Sequence, residues 1–175
     1  GKNIFYMAVI SLMMIPGILT LVPSFMLYKS LIGLDNYIIL ILPQIVGPVF
    51  GVFLLRSFFE GIPEDIFEAS RIDGAGEFKI YMKVCLPLSL PIMGTLAIMQ
   101  ITNAWNDYMW PMITIKNNDL MTISAGLMLN YVGPTNSNYP IITAGYLVAS
   151  IPLIFIFIFA NKFFIQGLTG SAMKL

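Results

Sequence analysis

Ile151-Pro152-Leu153-Ile154-Phe155-Ile156-Phe157-Ile158-Phe159-Ala160 decides the fold. A membrane-crossing barrel strand alternates apolar and polar residues over about ten positions, and this stretch is apolar throughout. The apolar segment reaches back to about Ile141, and roughly 20 such residues are what a helix needs to cross the ~30 Å hydrocarbon core. Backbone groups in lipid must pair within their own segment, which a helix achieves and an isolated strand does not. The segment therefore reads as a transmembrane helix.

Working outward, the charges punctuate the chain. Residues 3–28 carry none over 26 positions, residues 36–55 none over 20, and residues 84–106 none over 23. The last uncharged gap, 120–161, begins with a polar, turn-rich half (Gly126, Asn130, Gly133, Pro134, Asn136, Ser137, Asn138) before the apolar run. The expectation is an all-α, polytopic membrane bundle with four transmembrane helices. Pro16, Pro43, Pro48, Pro91 and Pro152 would kink or loosen these helices, which is tolerated where neighbouring helices re-satisfy the freed carbonyls.

Composition agrees. Of 175 residues, 58% are hydrophobic and 10% charged, with a mean hydropathy of +0.84. Soluble domains carry about 25% charged residues, so lipid is the expected surroundings for most of this chain. The formal charge is zero, which gives no footprint for nucleic acid. A single cysteine, Cys85, and no histidine exclude an internal disulfide and Cys/His zinc sites, and no cofactor is expected. The 12 methionines are scattered through apolar runs, where Met fills packing gaps. The chain begins with Gly1, which suggests a fragment or a processed piece of a longer protein.

Basic residues near span ends set orientation. With four spans, Lys2, Arg56, Arg71, Lys79, Lys83, Lys162 and Lys174 share one side, and Lys29 and Lys116 the other. That places both ends and the 56–83 loop in the cytoplasm. The loop holds ten of the chain's 18 charged residues. Pro63 suits the first position of a short helix, with Glu64 and Asp65 at the positive end of its dipole. Ile62, Ile66 and Ala69 share a face, and Asp73-Gly74 ends the helix with a left-handed cap. A second amphipathic segment, Glu77 to Val84, runs into the third span. The loop reads either as a solvated connector or as a docking surface for a cytoplasmic partner.

Glu68-Ala69-Ser70, three residues, Gly74, nine residues, then Val84-Cys85-Leu86-Pro87 resembles the EAA signature of permease subunits of binding-protein-dependent ABC importers. Ser70 and Val84 are the two departures, both small in volume. Ile62-Pro63, Arg71-Ile72-Asp73-Gly74-Ala75, Trp105-Asn106-Asp107 with Trp110-Pro111, and Phe163 to Lys174 resemble the carbohydrate-importer branch. The resemblance implies a type I importer permease domain over residues 1–175, lacking two N-terminal helices of a usual six, with 56–83 as its cytoplasmic coupling loop. It implies a bacterial inner-membrane location, ABC ATPase subunits, a sister permease, an extracytoplasmic solute-binding protein and a sugar as partners, with membrane lipid around them. ATP hydrolysis would lie in another subunit, since the chain has no P-loop and pairs no nucleophile with a base.

In that scheme Glu68 carries the polar contact to the ATPase, Ala69 and Ser70 give a small face for close approach, and Asp73 and Gly74 make the turn. Glu68 could instead pair with Arg71 at i+3. Asn103, Asn106 and Asp107 are candidates for the pathway or an interface, while Trp105 and Trp110 beside them suit an interfacial belt. Ser11, Thr20, Gln44, Thr95, Gln100, Thr102 and Thr143 would line a path or pack helices. The 111–139 loop would help engage the binding protein. The alternative is a stand-alone facilitator or channel; ion-coupled carriers place ionisable groups deep in their spans, and these four spans contain none.

Overall fold

The structure, a computed structural model, describes residues 1–46, 49–132 and 137–169, with the backbone alone at Lys2, Val46 and 161–169. Pro48, Gly133, Pro134, Asn136 and the Gly170–Lys174 end of the C-terminal run lie outside the described residues. The helices are α1 (Lys2–Ser11), α2 (Gly17–Ile32), α3 (Tyr37–Val46), α4 (Val49–Glu60), α5 (Glu64–Ile72), α6 (Glu77–Ile80), α7 (Leu86–Asn106), α8 (Met109–Thr114), α9 (Ile123–Tyr131) and α10 (Tyr139–Thr169). No strand occurs among the described residues.

Three helical stretches are long and apolar enough to cross a membrane: Tyr37–Glu60, Glu77–Asn106 and Tyr139–Ala160. The first expected span differs. Asn3–Met14 and Gly17–Ile32 meet at 96°, so they make a fourth span only if the bent pair is counted as one. The cause is local. Ile15 is extended (φ −79°, ψ 116°), as the residue before a proline is driven to be by the clash with the Pro16 ring.

The chain forms two compact units, Gly1–Pro48 with Gln100–Ile156, and Val49–Met99 with Phe157–Leu175. In the first unit, Ile39, Trp110 and Ile115 are buried, with Phe25, Tyr28, Ile32 and Leu40 packed against them. Tyr28 meets Trp110 edge-on, centroids 5.7 Å apart, the favoured aromatic geometry. Asp35, in the turn between α2 and α3, sits at φ 57°, which aspartate tolerates better than most residues. Its carboxylate accepts the backbone N–H of Lys116 and, at 2.9 Å, that of Asn117, while its own N–H donates to the Thr114 carbonyl. Those two amides, Lys116 first, hold the Asp35 carboxyl below its ordinary range.

In the second unit α7 buries Ser89, Ile92, Thr95 and Ile98, every third residue of one stripe. The two hydroxyls are satisfied inside the helix: Ser89 Oγ donates to the Leu86 carbonyl and Thr95 Oγ1 to that of Pro91. Between α6 and α7 lies a five-residue π-helical turn, Tyr81–Cys85. Pro87 explains its place. A proline four residues after Lys83 lacks the N–H that would reach the Lys83 carbonyl, and its ring crowds that carbonyl; widening the turn relieves the clash.

Candidate functional site

The 56–83 segment folds as the expected pair of short helices. Pro63 stands one position earlier than expected, as the N-cap of α5, with Glu64 and Asp65 in the first turn. At the other end Gly74 has φ 75°, its N–H donates to the Arg71 carbonyl, and the Ala75 N–H donates to the Ser70 carbonyl. This double closure is a Schellman stop, which needs the left-handed conformation that glycine takes without steric cost.

One side of α5 (Phe67, Ser70) is half-buried, and the other (Glu68, Ala69, Ile72) is exposed. Ala69 therefore does not share a covered face with Ile62, which is half-buried. Ile72 is 86% exposed, an apolar side chain held outward beside an acidic one. Arg71 does not pair with Glu68. Its Nε donates to Glu77 at 2.9 Å and its terminal nitrogen to Glu64 at 3.1 Å, and these carboxylates, Glu77 first, reinforce its charge. The i+3 pairing is thus overturned, because α6 brings a better-placed carboxylate to the guanidinium. The structure brings Glu68, Ala69 and Ile72 together on the outer face, with Ser70 turned inward and Asp73 and Gly74 at the turn.

A second candidate lies within the first unit. A cleft of about 400 Å³ is lined by Leu40, Ile41, Gln44, Ile45, Gln100, Ala104, Asp107, Trp110, Pro111 and Thr122. Gln100 Nε2 donates to the Gln44 side-chain oxygen at 2.7 Å and to the Gln44 backbone carbonyl at 3.2 Å. That carbonyl is one a helix would satisfy with the N–H of residue 48, and residue 48 is a proline. The same logic holds one turn earlier. Pro43 leaves the Ile39 carbonyl without a donor, and the Trp110 indole supplies one at 2.7 Å. In α10, the Trp105 indole donates to the Ala149 carbonyl at 3.1 Å, next to the carbonyl that Pro152 frees.

Of the polar residues singled out in the sequence, Asp107 lines the cleft, and one of its carboxylate oxygens accepts the Trp110 N–H at 3.2 Å. Asn103 and Asn106 are exposed and do not line it; Asn106 bonds back to the Thr102 carbonyl. The belt expectation fails for Trp110, which is 8% exposed and committed to Ile39. Gln44 and Gln100 emerge as a pair that spacing alone could not match.

The model of the family described as binding-protein-dependent transport system inner membrane component matches residues 1–170. The chain belongs to this family. Among the relatives of this transport family, the chain is 37% identical over 174 residues to an arabinooligosaccharides transport system permease protein of Halalkalibacterium halodurans, covering 99% of this chain and 62% of that one. It is 30% identical to an sn-glycerol-3-phosphate transport system permease protein of Yersinia enterocolitica, covering 97% and 60%. A solved bacterial ABC transporter involved in import of the acidic polysaccharide alginate superposes with a TM-score of 0.72 at 25% identity, covering 94% of this chain and 62% of that one. The chain thus spans about three fifths of the length of these relatives. The family match includes the 56–83 hairpin and every residue lining the cleft.

Proposed function

We propose that this chain is part of the permease subunit of an ATP-driven importer, and that the hairpin transmits the work of a separate ATPase subunit. Both compact units would belong to one transmembrane domain, with the hairpin and both ends of the chain on the cytoplasmic side, where seven of the nine basic residues then fall. The observation that carries the reading is the outer face of α5. A connector has no need of a helix stopped by a dedicated glycine, with an exposed isoleucine beside a glutamate that makes no ion pair among the described residues. Glu68, Ala69 and Ile72 would seat in the ATPase, and Asp73-Gly74 would set the angle to the Glu77–Asn106 helix. Catalysis would reside in that partner. A sister permease would complete the pore, and a solute-binding protein would deliver cargo.

The cargo we infer is a neutral sugar or oligosaccharide. None of the residues lining the cleft is basic, whereas a phosphate or uronate would call for Lys or Arg. Two amides, the Thr122 hydroxyl and the Asp107 carboxylate suit hydroxyl groups, and apolar walls with a few convergent polar groups are the usual make-up of small-molecule sites.

The test is ATP hydrolysis by the full-length protein, reconstituted with its sister permease, ATPase and binding protein, with neutral and acidic sugars added in turn and Gly74→Val as control. Stimulation by a neutral sugar that the control loses supports the reading. Stimulation by acidic sugars alone would discard the neutral cargo. A full-length protein that passes sugar with no ATPase bound would make it a stand-alone facilitator.

A further inference from the structure

One side chain of the hairpin forms hydrogen bonds to both of its helices. No residue of α5 is buried, and in α6 only Ile80 is. The link between them, Gly74-Ala75-Gly76, has glycine at both ends, with Gly74 at φ 75° and Gly76 extended at φ −71°, ψ 158°. The Schellman closure ties the N–H groups of Gly74 and Ala75 to α5, so the link bends at the Ala75–Gly76 step, where glycine resists weakly. Across it reaches Arg71, from the last turn of α5. Its guanidinium bonds to Glu64, the first residue of α5, and to Glu77, the first residue of α6.

All three side chains are largely exposed, at 45%, 66% and 77%, and exposed pairs add little to stability. They add geometry instead. A planar guanidinium offers donors in a fixed fork, so both carboxylates are held at set directions, which an ammonium cannot do. Arg71 is also satisfied within the hairpin, which leaves the outer face of α5 to its partner.

We propose that Arg71 is a positioning residue that locks α5 and α6 into one lever. A push on the outer face of α5 then reaches the Glu77–Asn106 helix instead of being lost at the Gly74–Gly76 link. This rests on the coupling role given to the hairpin above.

The experiment uses the full-length permease in its complete complex in lipid nanodiscs. Spin labels at Asp65→Cys and Lys79→Cys, in a Cys85→Ser background, read the spacing of α5 and α6. Unlabelled complexes give the sugar carried per ATP hydrolysed. With Arg71→Gln the spacing should broaden and sugar per ATP should fall severalfold, while the ATPase stays bound and hydrolysis continues. Arg71→Lys, with charge but no fork, should fall between the two, as should Glu77→Gln. A narrow spacing in Arg71→Gln, or a broad one with unchanged sugar per ATP, would overturn the proposal. Loss of ATPase binding and hydrolysis together would mark a merely structural role and would also overturn it. The underlying reading is checked separately with Glu68→Arg and Ile72→Arg. If both retain the ATPase, docking lies elsewhere and the lever falls with it.

Discussion

The Trp110 indole N–H donates to the Ile39 carbonyl at 2.7 Å, 71 positions away in the chain, and that carbonyl is the one Pro43 deprives of its helical donor. A side chain from α8 thus completes the hydrogen bonding of α3. Trp110→Phe keeps the ring but removes the donor, leaving a buried carbonyl unpaired at a cost of about 1–3 kcal/mol. Pro43→Ala restores a backbone donor four residues on. The cost of Trp110→Phe should therefore shrink in the Pro43→Ala background, a coupling that thermal melts of the four full-length proteins would reveal. Strict additivity would refute the substitution of one donor for the other.

Gln100→Leu removes both bonds to Gln44 while keeping the volume of the side chain. If the cleft takes sugar hydroxyls, the apparent KM for a neutral sugar should rise by about fivefold to thirtyfold, as expected for one or two lost hydrogen bonds of about 1 kcal/mol each. ATPase binding should stay unchanged. Transport assays over a range of sugar concentrations separate the two effects, and an unaltered KM removes the cleft from the path.

Much of this architecture could be read from the sequence. Uncharged gaps between Lys, Arg, Asp and Glu marked the membrane segments, because a charge in hydrocarbon is costly and so leaves a sharp boundary. Gly74 was legible as a stop because few other residues take its backbone conformation. The break at Ile15-Pro16 was not, since apolar residues continue on both sides and hydropathy does not register direction. The partners of the prolines were hidden for a different reason. A proline announces that a carbonyl will be orphaned but says nothing of which distant donor will reach it. Trp110 was misjudged because an indole suits a lipid headgroup region and a buried carbonyl equally well. Asn103 and Asn106 missed the cleft because isolated polar residues do not fix how a helix is rotated.

Gly74→Ala forces a Cβ into the left-handed region, with open space around it, so the cost is conformational, about 1–2 kcal/mol. Gly74→Asn should cost less, since asparagine visits that region. Chemical denaturation would rank the variants, and sugar carried per ATP should follow the same order if the turn angle matters.

Asp35 gives a pH dependence with a definite sign. Its folded pKa is depressed, so the bonds to Lys116 and Asn117 contribute fully above the ordinary aspartate range, about 3.9. They are lost as pH falls through the lower folded value. Hydrogen-exchange protection of the Lys116 and Asn117 amides should be retained at pH 6 and lost in strongly acidic buffer, flanking amides serving as reference. Asp35→Asn should flatten that profile.

The π-helical turn at Tyr81–Cys85 begins within the nine residues that separate Gly74 from Val84-Cys85-Leu86-Pro87 and runs into that second part of the signature. Each residue of an α-helix advances the chain by about 100° around its axis, so a widened turn resets the phase between α6 on one side of it and α7 on the other. The azimuth at which α6, with α5 fixed to it, faces a partner is therefore set in part by a count of residues. Deleting one residue of this turn would leave every contact group in place and point the hairpin in another direction. The spacing of the signature thus acts as a screw pitch that sets the register between hairpin and membrane helix.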